Sequence, residues 1–327
     1  MRYSLVSRFR GALLGALLGE KLTLSNDKQL QSRCDVDRIA VLGVQSLIAL
    51  GRLDLDDWLE RQQQYSLHLD TTDEISPNLI LATLPVALFF HENTIKVRQN
   101  LLRVLQIWED DPVVRDGTLA VGYAIAKSLT EKLHPQTLIP ETIAFIGETP
   151  TSLPQQLLKV NDLLNRGAGL DRAQAELSRE EKQSNAIAMA FYCFLGTLED
   201  YRLSVLRATH TANIWQQEPG NLYSKSISAI TGALSGAYNS TVGIPVTWRV
   251  LHSQPNSAAW GMTNFSQMLK LADALVAVWS GMYNLDLNPS EFKQEGCVIS
   301  DAQASLSLWE APSRLCVYAA PRVIRSR

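Results

Sequence analysis

The chain has 327 residues, a formal net charge of −3 and a pI near 6.0, with 46% apolar and 19% charged residues. That length is enough for a large buried core, and the balance excludes a disordered chain. It also excludes the basic footprint of a nucleic-acid binder, because the three arginines between Arg322 and Arg327 are too few to supply one.

The N-terminus imitates a secretory leader, since Arg2, Arg8 and Arg10 precede an apolar run. That run covers only Gly11 to Gly19, ends in Glu20-Lys21 and has no Ala-x-Ala cleavage pattern. It is far shorter than the ~20 apolar residues of a membrane span. It therefore reads as a buried helix from about Ser4 to Leu18, and no membrane association is expected.

Helix follows helix from there. Asp37 to Leu50 has apolar residues at helical spacing and is stopped by Gly51, and Asp54 or Asp56 caps the segment around Trp58. Ser76-Pro77 opens an apolar helix through Phe89-Phe90, with Pro85 as a kink or a last turn. Thr94 to Ile107 is amphipathic, and Asp111-Pro112 is a cap with proline at the first helical position. Pro140 begins a short helix to Phe145, and Ser152 begins another that stops at Asn165-Arg166-Gly167. Ser178 to Glu181 is a capping box before Ala186 to Leu195. Glu199 to Ala208, Ser224 to Tyr238 and Thr263 to Met282 complete the series. Period-two alternation occurs only around Arg314 to Tyr318. The expected fold is all-α: a compact multi-helix bundle over residues 1–285, then a short irregular C-terminal tail over 286–327.

Reactive side chains form no familiar pattern. Cys34, Cys193, Cys297 and Cys316 are scattered, which suggests neither zinc nor disulfides and points to a reducing, cytoplasmic compartment. The five histidines share no ligand spacing, and His210 stands before an expected loop without an assignable serine or aspartate partner. Most tryptophans lie on apolar helix faces and read as core; Trp215, near that loop, is the candidate for a surface groove. Gly11, Gly15 and Gly19 lie within a helix and lack the strand and Lys-Ser/Thr of a phosphate loop.

Two segments echo each other: Gly11-Ala12-Leu13-Leu14-Gly15-Ala16 and Gly232-Ala233-Leu234-Ser235-Gly236-Ala237. Each presents a small-xxx-small face that lets two helix backbones approach closely. Together with Ser46 to Asp54, Asn185 to Leu206, Ile244-Pro245-Val246-Thr247-Trp248 and Leu271 to Leu275, they resemble the ADP-ribosylglycohydrolase family over roughly residues 5–285. The resemblance implies an all-α fold and a site with two Mg2+ ions held by carboxylates and a threonine at the starts of two helices. In the family a Thr-Asp-Asp-Thr follows the first glycine helix and an Asp-Thr-Asp-Thr introduces the second.

This chain departs from that pattern. The two places read Cys34-Asp35-Val36-Asp37 and Tyr223-Ser224-Lys225-Ser226. Hard cations need oxygen ligands, and a two-metal site needs several carboxylates. Val36 is a hydrocarbon, Cys34 a soft thiol and Lys225 a donor-only cation. The family's Asn-Gly-Ser/Ala-x-Met-Arg segment has become Pro77 to Ala82, and a family histidine lacks a counterpart near Trp108. Glu20, Cys34, Asp35, Val36, Asp37, Tyr223, Ser224, Lys225 and Ser226 thus form an expected remnant pocket with no catalytic residue and no bound magnesium. Each has a blander role. Asp35 caps a helix, Glu20 faces solvent, and Lys225 either sits in water or pairs with Asp35 or Asp37. The expectation is a degenerate family member that acts by binding a protein partner or a nucleotide-like ligand, and not nucleic acid. Its alternatives are an active hydrolase with an atypical or metal-free site, and a structural or assembly subunit.

Overall fold

Glycine at every fourth position lines one face of a helix. In the protein's structure, a computed structural model, that helix is α1 (Leu5–Leu24), and its glycine face meets α13 (Ser224–Asn239). A Cβ added to Gly15 would lie 2.1 Å from the Gly232 carbonyl oxygen, and one added to Gly232 would lie 2.0 Å from that of Gly15. Gly11 faces Gly236 in the same way, and Gly19 faces Ser228. The two helices are therefore antiparallel and touch backbone to backbone along three turns. The Tyr201 hydroxyl donates to the Gly15 carbonyl at 3.3 Å, and Thr241 N–H donates to the Ser7 carbonyl at 3.1 Å.

The structure describes residues 3–24, 35–65, 76–108, 111–177, 182–216, 224–251 and 265–282. Among these residues there are fifteen α-helices and no strand. Between α1 and α13 run α2 (Asp35–Leu50), α3 (Leu55–Gln64), α4 (Ser76–Ala82), α5 (Leu84–Phe90) and α6 (Thr94–Trp108). Next come α7 (Pro112–Leu129), α8 (Leu138–Ile146), α9 (Leu153–Asn165), α10 (Leu170–Leu177), α11 (Lys182–Gly196) and α12 (Tyr201–Gln216). After α13 follow α14 (Val246–Leu251) and α15 (Phe265–Trp279). No helix among the described residues is long and apolar enough to cross a membrane.

Helix direction decides what meets at each end. Thr231 Oγ1 donates to the Ala190 carbonyl at 3.3 Å, and Asn239 Nδ2 donates to that of Leu198 at 2.8 Å, so α11 runs parallel to α13. Gly117 packs against Ile187 and Ile80, while the Ser128 carbonyl accepts from Arg8 on the first turns of α1. α7 is thus parallel to both. Ile80 lies beside Gly117, and the His91 ring is 5.5 Å from that of Phe9, so the α4–α5 path follows the same direction. Four helices begin at the end of the bundle where α1 finishes.

Several boundaries differ from the sequence reading. α1 continues past Leu18 to Leu24, because Glu20 and Lys21 extend a good helix rather than ending it. The segment around Pro85 is two helices, broken at Thr83, whose hydroxyl donates to the Ile80 carbonyl at 2.7 Å. Pro85 lacks the N–H that an unbroken helix would need, and it sits at the start of α5 instead. α8 begins at Leu138, before Pro140, and α10 and α14 were not anticipated. α12 runs two turns beyond Ala208. It therefore contains His210, and it buries Trp215 in the core at 4% exposure rather than opening it to a groove. The Asp54 and Asp111 caps form as read, accepting from Asp57 N–H at 3.3 Å and Val113 N–H at 2.8 Å. The Ser178 capping box and the Arg314–Tyr318 alternation lie outside the described residues.

Candidate functional site

The expected pocket falls at the end of the bundle where α1 stops and α13 starts. Gly19 touches Ser228, so the last turn of α1 and the first turn of α13 are neighbours. Glu20 is part-buried on α1 rather than fully solvated, a correction to the surface reading. The next residue, Lys21, is half-buried. Burial lowers its pKa, and the neighbouring Glu20 carboxylate partly offsets that. Ser226, on the first turn of α13, is buried at 1% exposure, and Ser228 behind it is fully buried.

The backbone places Asp35, Val36 and Asp37 in the first turn of α2, and Ser224 and Lys225 in that of α13. Their side chains, with Cys34 and Tyr223, lie outside the described residues. So does the expected pairing of Lys225 with Asp35 or Asp37. Of the nine remnant-pocket residues, the structure describes the side chains of Glu20 and Ser226, on adjoining helix turns.

This end of the bundle gathers charges of both signs, Glu20, Asp35 and Asp37 with Lys21 and Lys225. The starts of α4, α7, α11 and α13 carry the positive ends of helix dipoles. Lys21 adds a half-buried ammonium, and the sequence adds Lys225. Two hard cations in this position would need a dense carboxylate set to offset these charges. Among the described residues, no group of three or more His, Cys, Asp or Glu side chains could hold a metal. Of the two helix starts, that of α2 carries Asp35 and Asp37, and that of α13 carries no carboxylate in Ser224-Lys225-Ser226.

The sequence reading missed a polar cluster at the same level of the bundle. Asp116, in the second turn of α7, is completely buried. It accepts from Arg115 Nε at 3.0 Å, from Thr151 Oγ1 at 2.6 Å and from the Thr149 hydroxyl. Arg115 also donates to Thr149 Oγ1 at 3.1 Å, so carboxylate, guanidinium and both hydroxyls form one closed network. It fastens the segment between α8 and α9 to the start of α7. The available signal was one aspartate within the otherwise apolar helix Pro112–Leu129.

A second cluster joins α7 to α8. Glu141 accepts from Lys127 Nζ at 2.7 Å, from the Tyr123 hydroxyl at 2.9 Å and from Thr137 Oγ1 at 2.9 Å. These bonds, led by the one from Lys127, hold its pKa down at about 2. Both clusters are internally satisfied, and neither exposes a nucleophile. The one described cysteine, Cys193, is buried in α11, which pushes its thiol pKa up to about 12.

A family model described as ADP-ribosylglycohydrolase matches residues 42–284. A solved structure described as an ADP-ribosylglycohydrolase-related protein complex is similar to this chain with a TM-score of 0.53 and 15% sequence identity. The similarity covers 83% of this chain and 97% of that one, and at this identity it speaks to the fold alone. No curated protein matches the chain.

Proposed function

The chain belongs to the ADP-ribosylglycohydrolase family, and we propose that it is a degenerate member that has lost the binuclear magnesium site and acts by binding. The observation that carries this reading is the first turn of α13, Ser224-Lys225-Ser226. There the family resemblance calls for metal-binding aspartates, and a lysine ammonium only donates and repels cations. Val36 in the first turn of α2 removes another carboxylate.

The ligand class follows from charge. Several helix starts and a half-buried Lys21 favour an anion, as a nucleotide-like ligand with phosphate groups would supply. Without bound metal, these helix starts and ammonium groups take over the countercharge. The buried Cys193 thiol fits a reducing, cytoplasmic setting. A second reading, an assembly subunit, draws on Val242, Val246 and Val250, exposed at 71%, 63% and 65% around α14. A stable oligomer that a Val246→Asp change dissolves would favour it.

The test is calorimetric titration of the protein with Mg2+ and with ADP-ribose, separately and together, beside a Lys225→Asp, Val36→Asp double variant. The binding reading expects no magnesium heat from the natural sequence and a magnesium signal from the variant. Magnesium-dependent ADP-ribose binding and turnover by the natural sequence would overturn it and revive the hydrolase alternative.

A further inference from the structure

A trough crosses the opposite end of the bundle, away from the expected pocket. Its polar part, a cavity of about 330 Å3, is lined by His91, Glu92, Thr94, Ile95, Lys127 and Lys132. Its apolar part, of about 440 Å3, shares Thr94 and Ile95 and continues over Leu102, Ala144 and Phe145. The shared residues make the two cavities one depression, and Ile95 stands at its centre with 66% of its surface exposed. Both volumes fall in the range of small-molecule sites.

Two of the charges along it are already satisfied. Lys127 pairs with Glu141 at 2.7 Å, and Arg98 donates to the Ile146 carbonyl at 3.0 Å. Glu92 and Lys132 differ from these. Both are exposed, both line the polar part, and neither has a counter-ion among the described residues. They are opposite charges in one cavity, beyond ion-pair reach of each other. The adjoining helix ends do not cancel them. Glu92 precedes the start of α6, where Asn93 Oδ1 accepts from the Ile95 and Lys96 N–H groups, and Lys132 follows the Thr130 cap of α7. A helix end is worth about half an elementary charge. A full carboxylate therefore leaves one side of the cavity net negative, and a full ammonium leaves the other net positive. A molecule that bridges them carries an ammonium and a carboxylate close together, with an apolar group beside them for the second part of the trough.

We propose that the trough binds a free α-amino acid with a branched or aromatic side chain. Its ammonium faces Glu92, its carboxylate faces Lys132, and its side chain lies over Ile95 toward Leu102 and Phe145. Solvated charge pairs are individually weak, so the affinity is in the millimolar range. The site lies on a different face from the proposed ligand site and stands or falls separately.

Titration of the full chain, labelled with 13C at its isoleucine methyls, tests it. The Ile95 δ1-methyl signal, assigned by its loss in Ile95→Val, is the reporter. The probes are L-leucine and L-phenylalanine, then N-acetyl-L-leucine and L-leucinamide, which each lack one charge, and glycine, which lacks the side chain. The expected result is a saturable shift with L-leucine and L-phenylalanine, binding about threefold weaker for either single-charge analogue, and no saturation with glycine. Glu92→Gln should weaken L-leucine about threefold and leave N-acetyl-L-leucine unchanged, since that probe has no ammonium. Lys132→Gln should weaken L-leucine to a similar degree and leave L-leucinamide unchanged. No saturable shift with either apolar amino acid up to about 20 mM would overturn the proposal. So would L-leucine binding that is indifferent to both variants.

Discussion

The middle and the ends of the same two helices have been held to different standards. Along the α1–α13 seam, every face-to-face position is glycine or serine, and any added Cβ at Gly11, Gly15, Gly232 or Gly236 would fall within 2.2 Å of a carbonyl oxygen. One or two turns away, at the start of α13, Lys225 stands where the family resemblance implies a metal-binding acid. The seam answers to backbone geometry, which any folded member of the family must satisfy whatever it binds. The ends answer to the chemistry of whatever is bound there. On the proposed reading, the fold has lost its ions and kept its core.

The sharpest way to break that contrast is to substitute the seam. Gly232→Ala forces the helices apart and is expected to cost about 3 kcal/mol. That lowers Tm by roughly 4–5 °C in calorimetry. The control is Gly169→Ala, where a Cβ meets nothing within 4 Å, and a change no larger than about 0.5 kcal/mol is expected. Equal effects at the two glycines would remove the argument that close approach, rather than glycine content, holds the bundle.

Next in size is Asp116→Ala. It leaves the donors of Arg115, Thr149 and Thr151 facing an empty acceptor site and should cost about 2–3 kcal/mol in urea unfolding. Asp116→Asn, which keeps one acceptor oxygen, should recover part of that loss.

Glu141 gives a smaller and pH-dependent effect. Its folded pKa, about 2, lies below the ordinary carboxylate value, so its contribution is fully present above about pH 4.5. That contribution is lost as pH falls toward 2. Since the carboxylate is partly solvated, Glu141→Gln should cost only about 1 kcal/mol at pH 7. The gap from the natural sequence should close by pH 2, as read by paired denaturation curves. A gap that widened on acidification would mean that the Lys127–Glu141 pair is not its source.

The smallest effect belongs to the ends. Lys225→Ser is expected to move stability by no more than about 0.5 kcal/mol in either direction. A loss comparable with that at Gly232 would show that the lysine has become structural.

The seam was legible in the sequence because its cause is periodic and local: glycine every fourth residue, twice, in reverse register. The caps at Asp54 and Asp111 were legible for a similar reason, one polar side chain acting within its own first turn. The Asp116 cluster was not, since Thr149 and Thr151 come from more than thirty residues downstream and no spacing rule links them to α7. Trp215 was misplaced because the true length of α12 depends on packing rather than on a stop signal. For the candidate site, residue types marked the departures from the family pattern, but the half-burial of Lys21 emerges only once α1 is packed.

The partners in the seam are separated by about two-thirds of the chain, residue 15 against residue 232. During synthesis at roughly 5–20 residues per second, α1 therefore emerges on the order of 10–40 s before its counterpart. Throughout that interval a helix whose face is nearly bare backbone has no mate, and Leu13, Leu14, Leu17 and Leu18 have no core to enter. The glycines that fit two helices together so closely also leave the apolar face of α1 without its partner until translation has passed α13.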